Sequence, residues 1–202
     1  MIEGRGGDSY PVGVSTEMSD KLATAAAAVA GLVAAVRDDQ LDQATPCAEF
    51  RVRDLLNHLI QVVHNFQALA RREDVDWSPG PDRLTGDWRT AFAAEADRLV
   101  EAWADPAALE GVSPGMGLPQ RTVGQMVLGD LVVHGWDLAR GTGQEYRVDP
   151  SLVPALREFL DGMVETGRKM GAFGDPVDCP PDAGEFAELL AVTGRDPAWT
   201  RA

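Results

Sequence analysis

The fold of this chain is decided by the stretch VRDLLNHLIQVVHNFQAL, residues 52–69. Apolar residues recur in it at steps of three and four, which places them along one face of an α-helix. The apolar positions of this face are Val52, Leu55, Leu56, Leu59, Ile60, Val63, Phe66 and Leu69. A continuous apolar face of about five turns needs partner helices to cover it, so the stretch predicts a helical bundle.

Further helices are predicted on both sides of this stretch. Their expected ranges are 16–39, 83–103, 122–140, 150–167 and 182–192. The first is rich in alanine, which has the highest helix propensity, and Thr122 is expected to cap the fourth helix, with Gly141 and Gly143 at its end. No segment alternates as a strand does. The sequence therefore predicts an all-α fold: a four-helix bundle with additional short C-terminal helices.

The length of 202 residues suits one buried core. We expect residues 15–202 to form a single helical domain. Residues 1–14 are expected to be a tag or disordered segment, because Ile2-Glu3-Gly4-Arg5 has the pattern of a protease-recognition site and a glycine-rich stretch follows it.

Composition excludes several classes of partner. Acidic residues outnumber basic ones by 32 to 18, giving a net charge of -14. That charge repels phosphate backbones and anionic lipid surfaces, so neither nucleic acid nor a membrane is an expected partner. The two cysteines are Cys47 and Cys179, and no apolar run reaches the ~20 residues of a membrane span. We therefore expect a cytoplasmic protein with free thiols, Cys47 being an inert loop thiol.

Three histidines carry the strongest chemical signal. Asp130 and His134 are four residues apart on a predicted helix and project from the same side, a spacing that suits zinc or a similar ion. His58 would add a third ligand if its helix lies beside theirs. The spacing of Asp130 and His134 also fits an exposed ion pair, and His58 on its apolar helix also fits a hydrogen-bonded core histidine. His64 lies six residues from His58, on another face of the helix, and is predicted to face solvent.

Two segments resemble a known family: TPCAEFRVRDLLNHL at residues 45–59 and DLVVHGWDLAR at residues 130–140. They are similar to the DinB-like metal-binding four-helix bundles, in particular to the N-terminal domain of mycothiol-dependent maleylpyruvate isomerase. The tail, residues 173–197, is similar to that of single-domain actinobacterial members. The resemblance implies that His58, Asp130 and His134 bind a divalent metal, with zinc favoured over nickel, iron or manganese, and that the protein is a homodimer.

The resemblance also implies a chemistry. Three protein ligands leave one coordination position open, as in catalytic zinc sites. The leading hypothesis is a mycothiol-dependent transferase or isomerase, in which the metal activates the thiol toward an electrophilic small molecule. Maleylpyruvate isomerisation itself is not expected, because Asp130 stands where that enzyme has glutamate and its second domain has no counterpart here.

Two alternatives remain open. One is a hydrolase that uses metal-bound water, with Asp137 as the candidate general base. The other is a non-catalytic metal- or small-ligand-binding protein. Asp137 itself fits two roles equally, a carboxylate that orients a metal ligand or an ordinary surface charge. Trp88 and Trp136 are expected in the core rather than in a pocket, and Arg53 and Arg140 are expected to be solvated rather than to bind an anion.

Overall fold

The structure, a computed structural model, describes residues 15–201, so the tag predicted over residues 1–14 lies outside it. The described chain contains six α-helices, joined by loops and two short 3-10 helices. The α-helices are α1 (Glu17–Ala35), α2 (Val52–Ala70), α3 (Trp88–Ala104), α4 (Gln120–Thr142), α5 (Val153–Lys169) and α6 (Glu185–Val192). Residues 15–201 form no β-strand, only two isolated bridges. The predicted all-α fold is confirmed.

Helices α1 to α4 form the bundle. α1 packs against α3 and α4, and α2 packs against the same two helices, so α1 and α2 lie on one diagonal and α3 and α4 on the other. The apolar face of α2 predicted from the sequence is buried between its neighbours, with Leu55, Leu59 and Val63 fully inaccessible. The direct packing of α2 on α4 is what brings the two histidine-bearing segments together.

Helix α4 is buried on nearly all sides because it contacts α1, α2 and α5. Two glycines permit this crowding. A Cβ atom on Gly135 would lie 3.0 Å from Val29 of α1, and one on Gly129 would lie 3.1 Å from Phe159 of α5. Helix α6 then packs on α5. Helix α5 has 17 residues, so of the two C-terminal helices only α6 is short.

Several helix ends differ from the predictions. α1 ends at Ala35 rather than near residue 39, because Val36 is extended and a 3-10 turn follows. α3 begins at Trp88 rather than near residue 83, because the side chain of Asp87 caps its first turn. Thr122 lies inside α4, which begins at Gln120.

The C-terminal end of α4 was predicted more closely. Gly141 is still helical, and Gly143 takes up the left-handed conformation with φ 71° that ends the helix. This conformation is strained for residues with a Cβ atom.

By length and composition alone, α1 is the one described helix that could cross a membrane. Core helices of globular proteins meet the same criteria. Leu22, Val29 and Val33 of α1 have no accessible surface, and the helix packs on α3 and α4. This environment is that of a core helix.

Candidate metal centre

The structure brings His58, Asp130 and His134 together. One ligand atom from each lies within 4.8 Å of the other two. Nε2 of His134 is 4.0 Å from Oδ1 of Asp130, and the ring centroids of His58 and His134 are 4.8 Å apart, nearly perpendicular. Ligand atoms around a tetrahedral zinc ion with bonds of about 2.1 Å are about 3.4 Å apart, so small side-chain rotations suffice to close this group around an ion.

The donor set also fits a metal chemically. Two imidazoles and one carboxylate match the set found in catalytic zinc sites. His134 is buried, whereas His58 and Asp130 each keep part of their surface accessible. The Asp130 side chain remains 32% exposed. The group is therefore reachable by a small ligand.

The electrostatics favour the metal-binding forms of His58 and Asp130 near neutral pH. Burial, reinforced by the positive charges of protonated His134 and of Arg195, lowers the pKa of His58 to about 3. Burial raises the pKa of Asp130 to about 6, against the opposing effect of the same two positive charges. His58 is thus a neutral imidazole and Asp130 largely a carboxylate at pH 7. Both are the forms that bind metal.

Asp137 holds the second nitrogen of His134. Its Oδ2 lies 2.9 Å from Nδ1 of that ring, and the side chain has no accessible surface. Burial alone would raise the pKa of Asp137, but the hydrogen bond from His134 and the charge of Arg195 outweigh it, and the pKa lies below its usual value. An ionised Asp137 accepts a hydrogen bond from Nδ1–H, which leaves the Nε2 lone pair directed at Asp130 and His58. Of the two roles weighed from the sequence, the surface charge is wrong.

Arg195 anchors this carboxylate and was missed in the sequence. Its Nε is 3.0 Å from both carboxylate oxygens of Asp137, and its Nη2 is 2.9 Å from Oδ2. Its Nη1 donates to the hydroxyl of Thr193. The guanidinium is buried and comes from the C-terminal tail, 58 residues along the chain from Asp137. The tail segment TGRDP, residues 193–197, carried the only signal, and it pointed to a family rather than to a contact.

Cys47 lies closer to the centre than expected. Its Sγ, with atoms of His134 and Asp137, forms a second group within 4.8 Å. Its position beside these two residues was not predicted, whereas its raised pKa agrees with the predicted inert thiol. Burial raises the pKa of the Cys47 thiol, which therefore stays protonated and a poor ligand. Since Asp137 is already paired with Arg195, the group containing His58 and Asp130 is the better candidate.

The other predicted residues take peripheral positions. His64 is exposed, as predicted, and its Nδ1 lies 3.9 Å from Oε2 of Glu95. Trp88 and Trp136 are buried, as predicted. Arg53 and Arg140 are bound by other groups of the protein.

The contacts of these two arginines are specific. Arg53 pairs with Asp82 at 2.6 Å, and Arg140 donates to the carbonyl oxygen of Pro197 at 3.1 Å. Both side chains keep access to solvent. Neither points to a bound anion.

Two cavities border the candidate centre. His58 lines an open groove of about 450 Å³ between α2 and the loop of residues 77–83. Asp130 and His134 line a smaller cavity of about 130 Å³ between α4, α5 and the C-terminal tail. Phe50 lies above both imidazoles, at 5.2 Å from His58 and 6.1 Å from His134 between ring centroids. A ligand held at the centre has space on each side.

Comparison with known proteins places this chain in a family. The family model described as the mycothiol maleylpyruvate isomerase N-terminal domain matches residues 22–139. Two uncharacterized proteins of Mycobacterium tuberculosis, from strains CDC 1551 / Oshkosh and ATCC 25618 / H37Rv, are each 33% identical over 179 residues. Each match covers 83% of this chain and 92% of the relative. No solved structure matches significantly.

Proposed function

Since this chain belongs to the mycothiol maleylpyruvate isomerase N-terminal domain family, we propose that it is a metal-dependent transferase or isomerase that uses the thiol mycothiol. The observation that carries the proposal is the convergence of His58, Asp130 and His134 within 4.8 Å, with space on both sides. We propose these three residues as the ligands of a divalent ion, zinc in the first place.

When bound there, such an ion would favour the thiolate form of a coordinating thiol at neutral pH. The protein supplies the rest. His58 presents a neutral nitrogen, Nε2 of His134 is the nitrogen that Asp137 leaves unbonded, and Asp130 presents a negative charge that partly balances the ion. Asp137 and Arg195 keep the His134 ring in one orientation through short buried contacts. A ligand set held in this way does not have to reorganise during a reaction.

The open groove next to His58 is our candidate for the polar body of the thiol. It is lined by polar side chains of α2, including Arg53, Asn57 and Gln61. At about 450 Å³ it falls within the range of small-molecule sites. The smaller cavity next to Asp130 then remains for the second reactant.

The two alternatives lack a comparable observation. Hydrolysis by metal-bound water would need a general base beside the open position, and Asp137, the candidate from the sequence, is buried against Nδ1 of His134 and paired with Arg195. A non-catalytic metal store would be favoured by a fourth protein ligand or an apolar seal, whereas His58 and Asp130 border cavities. Homodimer formation and a cytoplasmic location stay predictions, the former testable by light scattering.

The test is metal analysis followed by calorimetric titration with mycothiol. We expect one zinc per chain and saturable binding of mycothiol to the zinc-loaded protein. S-methyl mycothiol is the matched control ligand, since it lacks the proton that must leave for the sulfur to bind as thiolate. His58→Ala should remove both zinc and thiol binding. Stoichiometric zinc without any thiol binding would contradict the proposal and favour the hydrolase or the metal-binding protein.

A further inference from the structure

The cavity between α4 and α5 is apolar apart from Thr166 and the end formed by Asp130, His134 and Arg195. Its walls are formed by aliphatic, aromatic and methionine side chains, among them Leu160, Met163 and Phe173. The charged and imidazole groups that line it are Asp130, His134 and Arg195. Asp130 and His134 belong to the candidate centre, so the apolar walls lead away from the position where a metal-bound sulfur would lie.

Arg195, the one arginine or lysine that lines this cavity, is already paired within the protein. The Nε and Nη2 atoms of Arg195 contact the Asp137 carboxylate, and Nη1 donates to Thr193. The proposed metal ion could hold one carboxylate at the Asp130 end, but a second carboxylate along the apolar walls would lose its hydration without gaining a free cation, and such burial is strongly unfavourable. Asp130 would repel it further. The cavity is therefore unsuited to a dicarboxylate.

The size of the cavity sets an upper limit on its occupant. Its volume is about 130 Å³, close to the roughly 150 Å³ of an engineered apolar cavity that binds benzene. Met126, Met163 and Met170 contribute flexible side chains to the lining, which lets the walls adapt to different shapes. Met170 is 78% exposed, so the cavity can be reached from solvent.

We infer that this cavity binds the apolar part of a neutral electrophile, a group about the size of a phenyl ring, with the reactive carbon at the Asp130 and His134 end. This substrate class deepens the proposed function and rests on it. With an aryl epoxide as the electrophile, the sulfur–carbon bond forms as one carbon–oxygen bond of the ring breaks. The thiol proton ends on the released oxygen, and no oxidant or reductant is needed.

The first test is binding of toluene to the zinc-loaded protein with 13C-labelled methionine methyl groups, followed by NMR. We expect saturable shifts at Met126, Met163 and Met170. Met18 and Met116 are internal controls, because they do not line the cavity. Shifts that are absent, or equal at all the methionines, would overturn the inference, and this readout requires neither the thiol nor turnover.

Variants separate cavity filling from general damage. Met163→Trp should fill the cavity and weaken toluene binding at least tenfold. Val164→Trp, the neighbouring and equally half-buried position on α5, does not line the cavity and should leave binding unchanged. Leu160→Ala acts in the opposite direction and should shift the preference from toluene to a larger ring such as indane. If Met163→Trp fails to fold, this shift in preference decides the matter.

The second test measures thiol transfer to styrene oxide and to a dicarboxylate. Transfer to styrene oxide that toluene inhibits competitively supports the inference. Transfer to the dicarboxylate without toluene binding in the cavity overturns the inference and leaves the proposed function standing. Toluene binding in the cavity of a zinc-loaded protein that binds no thiol overturns the proposed function, and the substrate assignment falls with it.

Discussion

Replacing Asp137 with asparagine tests whether the buried network behind His134 controls the candidate metal centre. The substitution keeps the shape of the side chain and removes its charge. Asp137 lies 2.9 Å from Nδ1 of His134 and contacts Arg195 through both oxygens. In the variant, the amide can present its NH2 group to either partner, so the orientation of the imidazole is no longer fixed.

The substitution is expected to lower both the affinity for zinc and the folding stability. Carboxylates that orient a metal-binding histidine typically contribute 10- to 100-fold to metal affinity, which corresponds to about 1.4–2.8 kcal/mol. Removing one partner of a buried ion pair costs about 3–5 kcal/mol of folding stability. We take that range as an upper limit here, because Arg195 keeps its contact with Thr193 and the amide oxygen still accepts a hydrogen bond.

The two effects are measured separately. Competition with a chromophoric zinc chelator gives the affinity at a temperature where the variant is folded, and urea unfolding of the metal-free protein gives the stability. Asp161→Asn on α5 is the matched control, since Asp161 is exposed. Zinc affinity within twofold of the wild type in Asp137→Asn, together with loss of zinc in His58→Ala, would refute the idea that Asp137 orients His134.

Three further predictions concern the ligands themselves. His58→Ala should reduce zinc binding to background in metal analysis. His64→Ala should retain one zinc per chain, because His64 is exposed on another face of α2. Equal effects of the two substitutions would argue against His58 as a zinc ligand. Cys47→Ser should leave zinc stoichiometry unchanged, since the raised pKa keeps that thiol protonated; loss of zinc would instead favour the group of Cys47 with His134 and Asp137. Because the pKa of Asp130 is raised to about 6 and the carboxylate form binds metal, zinc affinity should rise with pH through that value. Calorimetry at pH 5 in buffers of different ionisation heat should show up to about one more proton released by the wild type than by Asp130→Asn; identical proton release would contradict it.

Local periodicity was sufficient to predict the helices and two of the three candidate ligands. Asp130 and His134 share a helix, so their relative position follows from the helix geometry alone. Helix ends were less well predicted, because they depend on contacts that periodicity does not record. α3 begins five residues after its predicted start, at the residue that follows the cap Asp87, and Thr122 lies inside α4.

The position of His58 relative to α4 required knowledge of which helices are neighbours. Apolar faces are compatible with several bundle orders, because burial is not directional. The resemblance to a known family supplied the order that the apolar pattern leaves open. The structure has α2 in direct contact with α4, and the ligand atoms converge.

By itself, then, the sequence determined the all-α class, the apolar faces and the Asp130–His134 pair, since each depends on residues within a few helical turns. Only the tertiary structure decided that Arg195 neutralises Asp137, that Cys47 lies beside His134, and that an apolar cavity ends at Asp130. These features join side chains that are far apart in the chain. Packing of whole helices and of the tail sets their distances, and no local pattern encodes it.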